Sequence, residues 1–184
     1  MINNERKVDV QSDDIQKTLV VLKPDAVQRG VMGEILSRFE RAGLQVLGMK
    51  MVSPTSEHFH KHYEEIGELI SRRGEDVYNI VLAAMVESPV LAMVLSGVDA
   101  IEHVRKMVGA TDPKEAAPGT IRGDYTHINR VNAIAAGRTL PNLIHASADA
   151  SEAKKEIALW FEDGELYEYH APYWETVVGK VPQK

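Results

Sequence analysis

The chain contains no cysteine. Disulfides, thiolate nucleophiles and Cys-ligated zinc or iron–sulfur sites are excluded together. Aromatic residues are scarce, at 6%. Positive charge is in the minority: 21 Lys and Arg face 27 Asp and Glu, a formal net charge of −6. An acidic surface argues against broad nucleic-acid binding, which needs clustered cations. No apolar run is long enough to cross a bilayer. The longest, residues 80–98, is broken by Glu87, Ser88, Pro89, Ser96 and Gly97. The N-terminal stretch MINNERKVDVQSDDIQK is too polar for a secretory core. The expectation is a cytoplasmic protein with neither nucleic acid nor membrane as partner. Walker, GxGxxG, HExxH, GxSxG and EF-hand patterns are also missing.

What is present fits one globular domain. The chain has 184 residues, 44% of them hydrophobic, enough to bury roughly 70% of the surface an unfolded chain exposes. Residues 1–17 read as a solvated arm. Thr18–Leu22 is a β-branched apolar run ending in Lys23-Pro24-Asp25, a buried strand entering a turn. Met32, Ile35, Leu36 and Phe39 share one helical face, with Gly43 as the stop. Residues 44–52 form a second strand candidate. Ser53-Pro54 opens a helix carrying His58, His60, His62 and Tyr63. Residues 67–74 read as an irregular insertion, 77–85 as a short helix and 88–95 as a third strand. Asp99-Ala-Ile-Glu102 has capping-box spacing before a helix that stops at Gly109. Residues 109–124 and 125–141 are irregular by pattern. Leu143-Ile144 is a brief last strand. Asp149-Ala-Ser-Glu152, a second capping box, opens a helix burying Ala153, Ile157, Trp160 and Phe161. Residues 162–184 form a tail whose Tyr167, Tyr169, Tyr173 and Trp174 dock on the body or on a neighbouring subunit. This order predicts an α+β fold, a ferredoxin-like βαββαβ sandwich: an antiparallel four-stranded sheet with helices on its faces.

Against the acidic background, Lys23, Arg105 and Arg122 stand at element ends and in loops, where dispersed cations can grip an oxyanion. His145 ends the segment Asn142-Leu-Ile-His and is followed by the small residues Ala146 and Ser147. Glu156 lies about 40° around the helix from Trp160, at the border of the buried stripe. A carboxylate on one imidazole nitrogen fixes the tautomer and leaves the other free as a nucleophile. His58 and His62, four apart, have metal-ligand spacing, but a solvated helix face is the stronger reading, and no resident metal site is expected.

KPDAVQRG (23–30), GEILSRFERAG (33–43), His62-Tyr63, SPVLAMVLSG (88–97), DPKEAAPGTIRGDY (112–125), NLIHAS (142–147) and EIALWF (156–161) occur in this order. Together they resemble the nucleoside diphosphate kinase family. The resemblance spans 18–161, marking that stretch as the catalytic domain between arm and tail. It implies ping-pong transfer of a γ-phosphoryl from a nucleoside triphosphate to a nucleoside diphosphate through a phosphohistidine, with Mg²⁺ arriving on the nucleotide phosphates. It implies His145 as nucleophile, Lys23 as the contact to phosphate and sugar hydroxyl, Tyr63 beside both, and Ser147 and Glu156 as the groups that position the histidine. Arg105, Thr111 and Arg122 match the phosphate grip, and Asn142 the ribose contact. It also implies a homo-oligomer, a tetramer or hexamer. The chain departs from the family pattern at Ala26 and Ala146, where glycine is usual, and at Ala110 and Ala148, where an acidic residue is common. The family's base-stacking phenylalanine has no match; Tyr78 is the expected stacker. Stretches 67–74 and 129–140 are extra. Two other readings are an RNA-recognition module of the same topology, disfavoured by the charge, and a catalytically silent regulatory or structural family member, disfavoured by the intact His145 set.

Overall fold

The computed structural model describes residues 14–177. Strand β1 (Ile15–Leu22) leads into helices α1 (Pro24–Gln28) and α2 (Met32–Arg41), then β2 (Gln45–Val52). Helix α3 (Ser56–His60) continues as a π-helical segment, Lys61–Ile66, followed by α4 (Leu69–Arg73), α5 (Glu75–Met85) and β3 (Val90–Val98). Next come α6 (Ala100–Val108), α7 (Ile121–Tyr125), α8 (Arg130–Ala135) and β4 (Ile144–Ala146), then α9 (Ala150–Trp160) and α10 (Trp174–Val177). The four strands pair antiparallel in the order β2-β3-β1-β4, which is the expected ferredoxin-like arrangement.

Strand periodicity explains why the two central strands are apolar throughout. Val20 and Leu22 of β1, with Leu91, Met93 and Leu95 of β3, face one layer, which Ile35 and Phe39 of α2 and Val104 of α6 complete. Leu19, Val21, Ala92 and Val94 face the other, against Phe59, Met85 and Trp160 from α3, α5 and α9. Both faces are covered, so neither can alternate with polar residues.

Several boundaries differ from expectation. β1 starts at Ile15, because Ile15–Lys17 pair with Val98–Ser96; the arm that remains, residues 1–13, lies outside the described residues. Pro54 precedes its helix instead of opening it, and Thr55 is the cap, accepting from the His58 N–H. The stretch 67–74 contains helix α4, and 129–140 contains α8, capped by Asn129. Asp99 takes a left-handed conformation, φ 48°, and makes no side-chain cap, so that capping box does not form. At α9, Asp149 does accept from the Glu152 N–H.

The tail docks by its backbone more than by its rings. The Tyr167 N–H donates to Leu47 O, and Gln45 Nε2 donates to Tyr169 O. Gly48 of β2 is needed there: a Cβ would stand 2.7 Å from Glu165 O. The docked tail thus covers part of an edge strand, while Tyr167, Tyr169 and Tyr173 stay exposed.

Candidate active site

The fold brings the ends of β1 and β4 side by side, since Val21 pairs with His145. Chain direction then reverses sharply before β4. The Ile144 N–H reaches back to Asn142 O at 2.8 Å, and Leu143 between them has φ 67°. That conformation is costly for a branched residue. Two bonds hold it: the Leu143 N–H donates to Asp25 Oδ2 at 2.9 Å, and the Lys23 N–H to Leu143 O at 2.8 Å. The aspartate of the KPD turn therefore shapes the site. Sequence reasoning missed it, although its place directly after a buried strand was the available signal.

His145 Nε2 lies 2.7 Å from Glu156 Oε1. Glu156 is buried, and its other oxygen accepts from Ser147 Oγ at 2.6 Å. Ser147 in turn accepts from the Leu19 N–H at 3.1 Å. An ionised carboxylate can only accept, so the proton on His145 belongs to Nε2 and Nδ1 keeps its lone pair.

His62 is the unexpected neighbour. It is buried, not on a solvated helix face, and its ring meets that of His145 edge-on at 4.5 Å. Its Nδ1 lies 3.5 Å from Glu156 Oε1. Trp160 Nε1 donates to that same Nδ1 at 3.2 Å, which makes Nδ1 an acceptor and the ring neutral. Burial pushes the His62 pKa well below its ordinary value, and the nearby His145, His58 and Lys23 add to the shift. Glu156 therefore spends its charge on His145 and Ser147. His62, His145 and Glu156 offer ligand atoms within 4.8 Å of one another, but these atoms are engaged in the hydrogen bonds above. The π-helical turn, a common device at functional sites, carries both His62 and Tyr63.

His145 opens into a cavity of about 460 Å³. Lys23, Tyr63, Arg105, Thr111, Arg122 and Asn142 line it. Lys23 Nζ donates to Asn142 Oδ1 at 2.6 Å, and Asn142 Nδ2 to Thr111 O at 2.8 Å. Burial pulls Lys23 down to about 8, against the pull of Asp25 and helped by Arg122. Arg122 is buried and donates to three backbone carbonyls, Asn142, Gly109 and Ile144. Desolvation, then Arg105, lowers its pKa to about 10. The Tyr63 hydroxyl finds no hydrogen-bond partner among the described residues, and desolvation raises its pKa. Such a set is built for a multiply charged anion presented to a nucleophilic nitrogen.

Tyr78 does not join this set. It is buried, its hydroxyl lies 2.7 Å from His60 Nδ1, and it does not line the cavity. The reason is helical phase: on α5, Val77, Ile80 and Val81 face the cavity. Ala110, Ala146 and Ala148 line it as well, whereas Ala26 is buried in the core.

Comparison with known proteins bears on the same residues. The family model described as nucleoside diphosphate kinase matches residues 16–166. The nucleoside diphosphate kinase of Pyrococcus furiosus is 46% identical over 157 residues, 85% of this chain and 89% of that protein. That of Borreliella burgdorferi is 43% identical over 155 residues, covering 84% and 92%. A solved structure described as a transition-state mimic of the Borrelia burgdorferi enzyme with bound vanadate and ADP superposes with a TM-score of 0.88 at 40% identity, covering 92% of this chain and all of that one. A Halobacterium salinarum enzyme in complex with CDP gives 0.76 at 37%, covering 88% and 97%. The matched span runs from β1 past α9 and contains every group that converges on His145, so the chain belongs to the nucleoside diphosphate kinase family.

Proposed function

We propose that His145 Nδ1 is the nucleophile in the transfer that this enzyme family performs, from a nucleoside triphosphate to a nucleoside diphosphate. The observation that carries the reading is the 2.7 Å contact of Nε2 with Glu156, which leaves Nδ1 as the free nitrogen. The Nδ1 lone pair attacks the γ-phosphorus. An N–P bond forms, the bridging P–O bond breaks, and the diphosphate leaves with the electron pair. In the second half, a β-phosphate oxygen of the acceptor attacks phosphorus and the N–P electrons return to Nδ1. The Nε2 proton stays against Glu156, which stabilises the positive charge that the imidazole acquires. Ser147 holds Glu156 in place.

Phosphoryl transfer is mainly positioning and charge stabilisation. Arg105, Arg122 and Thr111 take the phosphates, Lys23 and Asn142 the phosphate–ribose junction, and the unpartnered Tyr63 hydroxyl a phosphoryl oxygen. Mg²⁺ enters as part of the substrate, on phosphate oxygens, and neutralises their charge. The lining supports this because it offers a single carboxylate, Glu152, too few for an all-protein oxygen cage. The catalytic unit is the 18–161 span together with the strand residues that precede it. The enzyme works as a homo-oligomer, a tetramer or hexamer, in the cytoplasm; light scattering reads the assembly.

The deciding experiment supplies γ-labelled ATP with Mg²⁺ and then chases with unlabelled GDP. Acid-labile, base-stable label should appear on the protein and pass to GTP. A folded, ADP-binding protein that takes up no label would instead be a silent family member.

A further inference from the structure

Asp25 stands behind the cavity wall, not in it. It sits in the first turn of α1, half-buried, and is not among the residues that line the cavity. Two kinds of contact nevertheless tie it to residues that do.

The first is one hydrogen bond with a wide reach. Asp25 Oδ2 accepts from the Leu143 N–H at 2.9 Å, where the backbone has φ 67°. Leu143 is fully buried, and a left-handed conformation at such a residue persists only where its surroundings over-determine it. The kink turns the carbonyls on either side of it onto one guanidinium. Arg122 Nε donates to Asn142 O at 3.1 Å, and Arg122 Nη2 to Ile144 O at 2.5 Å. The Asn142 side chain accepts from Lys23 Nζ, and His145 follows the kink by two residues.

The second contact is charge. Burial lowers the pKa of Lys23 and of Arg122, and Arg122 and Arg105, respectively, lower them further. Asp25 opposes both shifts. The other titratable groups around Lys23 are Arg122 of α7, Arg105 of α6, His62 and Tyr63 of the π-helical turn, and His145 of β4 with Glu156 of α9 behind it. Of these only Glu156 is a carboxylate, and it is engaged by His145 and Ser147. Glu152, in the lining, accepts from the Ala148 N–H.

We propose that Asp25 is a positioning residue of the transfer with two separable duties: one carboxylate oxygen holds the kink that registers Asn142, His145 and Arg122, and the negative charge balances Lys23 and Arg122. The inference rests on the nucleotide reading of the site and deepens it. Asp25 acts through these residues and touches no reacting atom.

Two conservative variants pull the duties apart. Asp25→Asn keeps an acceptor for the Leu143 N–H and removes the charge. Asp25→Glu keeps the charge and carries the carboxylate one methylene past that N–H. The readouts are the ADP dissociation constant against pH and the single-turnover rate of label uptake from saturating γ-labelled ATP with Mg²⁺. In the unaltered protein, ADP affinity should decline above about pH 8, where Lys23 titrates. In Asp25→Asn the decline should begin about one pH unit lower, the low end of what a neighbouring opposite charge contributes. In Asp25→Glu it should begin where it does in the unaltered protein. Uptake is compared at a pH below both declines. There Asp25→Glu should lose about 10- to 100-fold, approaching the cost of a 1 Å misplacement, and should lose more than Asp25→Asn. A scaffold role alone would lower both melting temperatures and separate neither readout, and that result overturns the proposal. An unmoved decline in Asp25→Asn, or undiminished uptake in Asp25→Glu, overturns it as well. Exchange of the Leu143 amide hydrogen reads the kink without turnover: slow in the unaltered protein and in Asp25→Asn, fast in Asp25→Glu. Absence of any phosphoenzyme in the unaltered protein would therefore sink the functional reading and leave the duties of Asp25 testable.

Discussion

At the reacting end of the cavity, His145, Glu156, Ser147, Lys23, Asn142 and Arg122 are tied to one another and to the backbone by hydrogen bonds of 2.5–3.1 Å. At the mouth, Arg72 and Arg73 stand on the short helix α4, Arg130 at the start of α8 and Arg138 past its end, without such side-chain ties among the described residues. The inner end hangs on β1, β4 and α9, elements fixed by core packing, while the outer end hangs on segments inserted between them. Groups that must stabilise developing charge gain from being fixed in advance, because no reorganisation is needed during the reaction. Substitutions at the inner end should therefore act on the chemical step, and those at the mouth should act much less on it.

The largest expected effect is at His145. His145→Ala should abolish label uptake from γ-labelled ATP while ADP still binds, because Lys23, Arg105 and Arg122 are untouched. Residual uptake on another residue would break the assignment of roles within the inner end.

Next in size is Arg122→Ala. Loss of a prebuilt electrostatic contact costs about 2–4 kcal/mol of transition-state stabilisation, read as kcat/KM. The structure adds a second consequence. Three carbonyls lose their donor, so melting temperature should fall together with activity. Activity loss with an unchanged melting temperature would show that Arg122 acts on phosphate alone.

Smaller and graded is the response to pH. The buried Lys23 titrates near 8 in the ligand-free protein, against 10.5 for an ordinary lysine. Between those values the unfolded chain holds a proton that the folded chain lacks. Stability therefore rises with pH across that window as far as this group is concerned, and its burial weighs against folding most below pH 8. Nucleotide affinity should move the other way. As pH climbs past 8, Lys23 loses its charge and the dissociation constant for ADP should increase, by at most about tenfold per pH unit. Lys23→Gln should flatten that slope. A flat profile in the unaltered protein would mean that Lys23 keeps its proton and the inner end is less dry than its geometry implies.

How far the sequence foretold all this follows the range of the contacts involved. β1 and β3 were legible because their apolar runs are local, and both faces of each strand are buried. The His145–Glu156 pair was legible because 11 residues separate them and helical phase places Glu156 at the edge of a buried stripe. His62 was not: its neutral state follows from burial and from accepting the Trp160 N–H, 98 residues away, through a π-helical turn that no spacing rule announces. Asp25 was hidden likewise, since its partner Leu143 lies 118 residues on. Helices α4 and α8 were read as irregular because they are short, five and six residues, and that both line one cavity shows only in the fold. Tyr78, expected at the base, is turned toward His60 by the phase of α5.

That orientation sets up the smallest and sharpest contrast. Tyr78 faces His60 and does not line the cavity. Tyr78→Leu removes the ring but keeps apolar bulk. If the ring stacked on the base, its loss would weaken nucleotide binding by about 1–3 kcal/mol, the usual worth of base–aromatic stacking, or roughly 5- to 150-fold in KM. Because aliphatic side chains line the outer walls instead, KM for GDP and ADP should stay within about twofold. The cost should fall on stability: a lost hydrogen bond to His60, about 0.5–1.5 kcal/mol net, plus imperfect repacking of a buried position. A melting temperature that drops while both KM values hold would assign Tyr78 to the scaffold. A rise in KM common to GDP and ADP would return a ring to the base site.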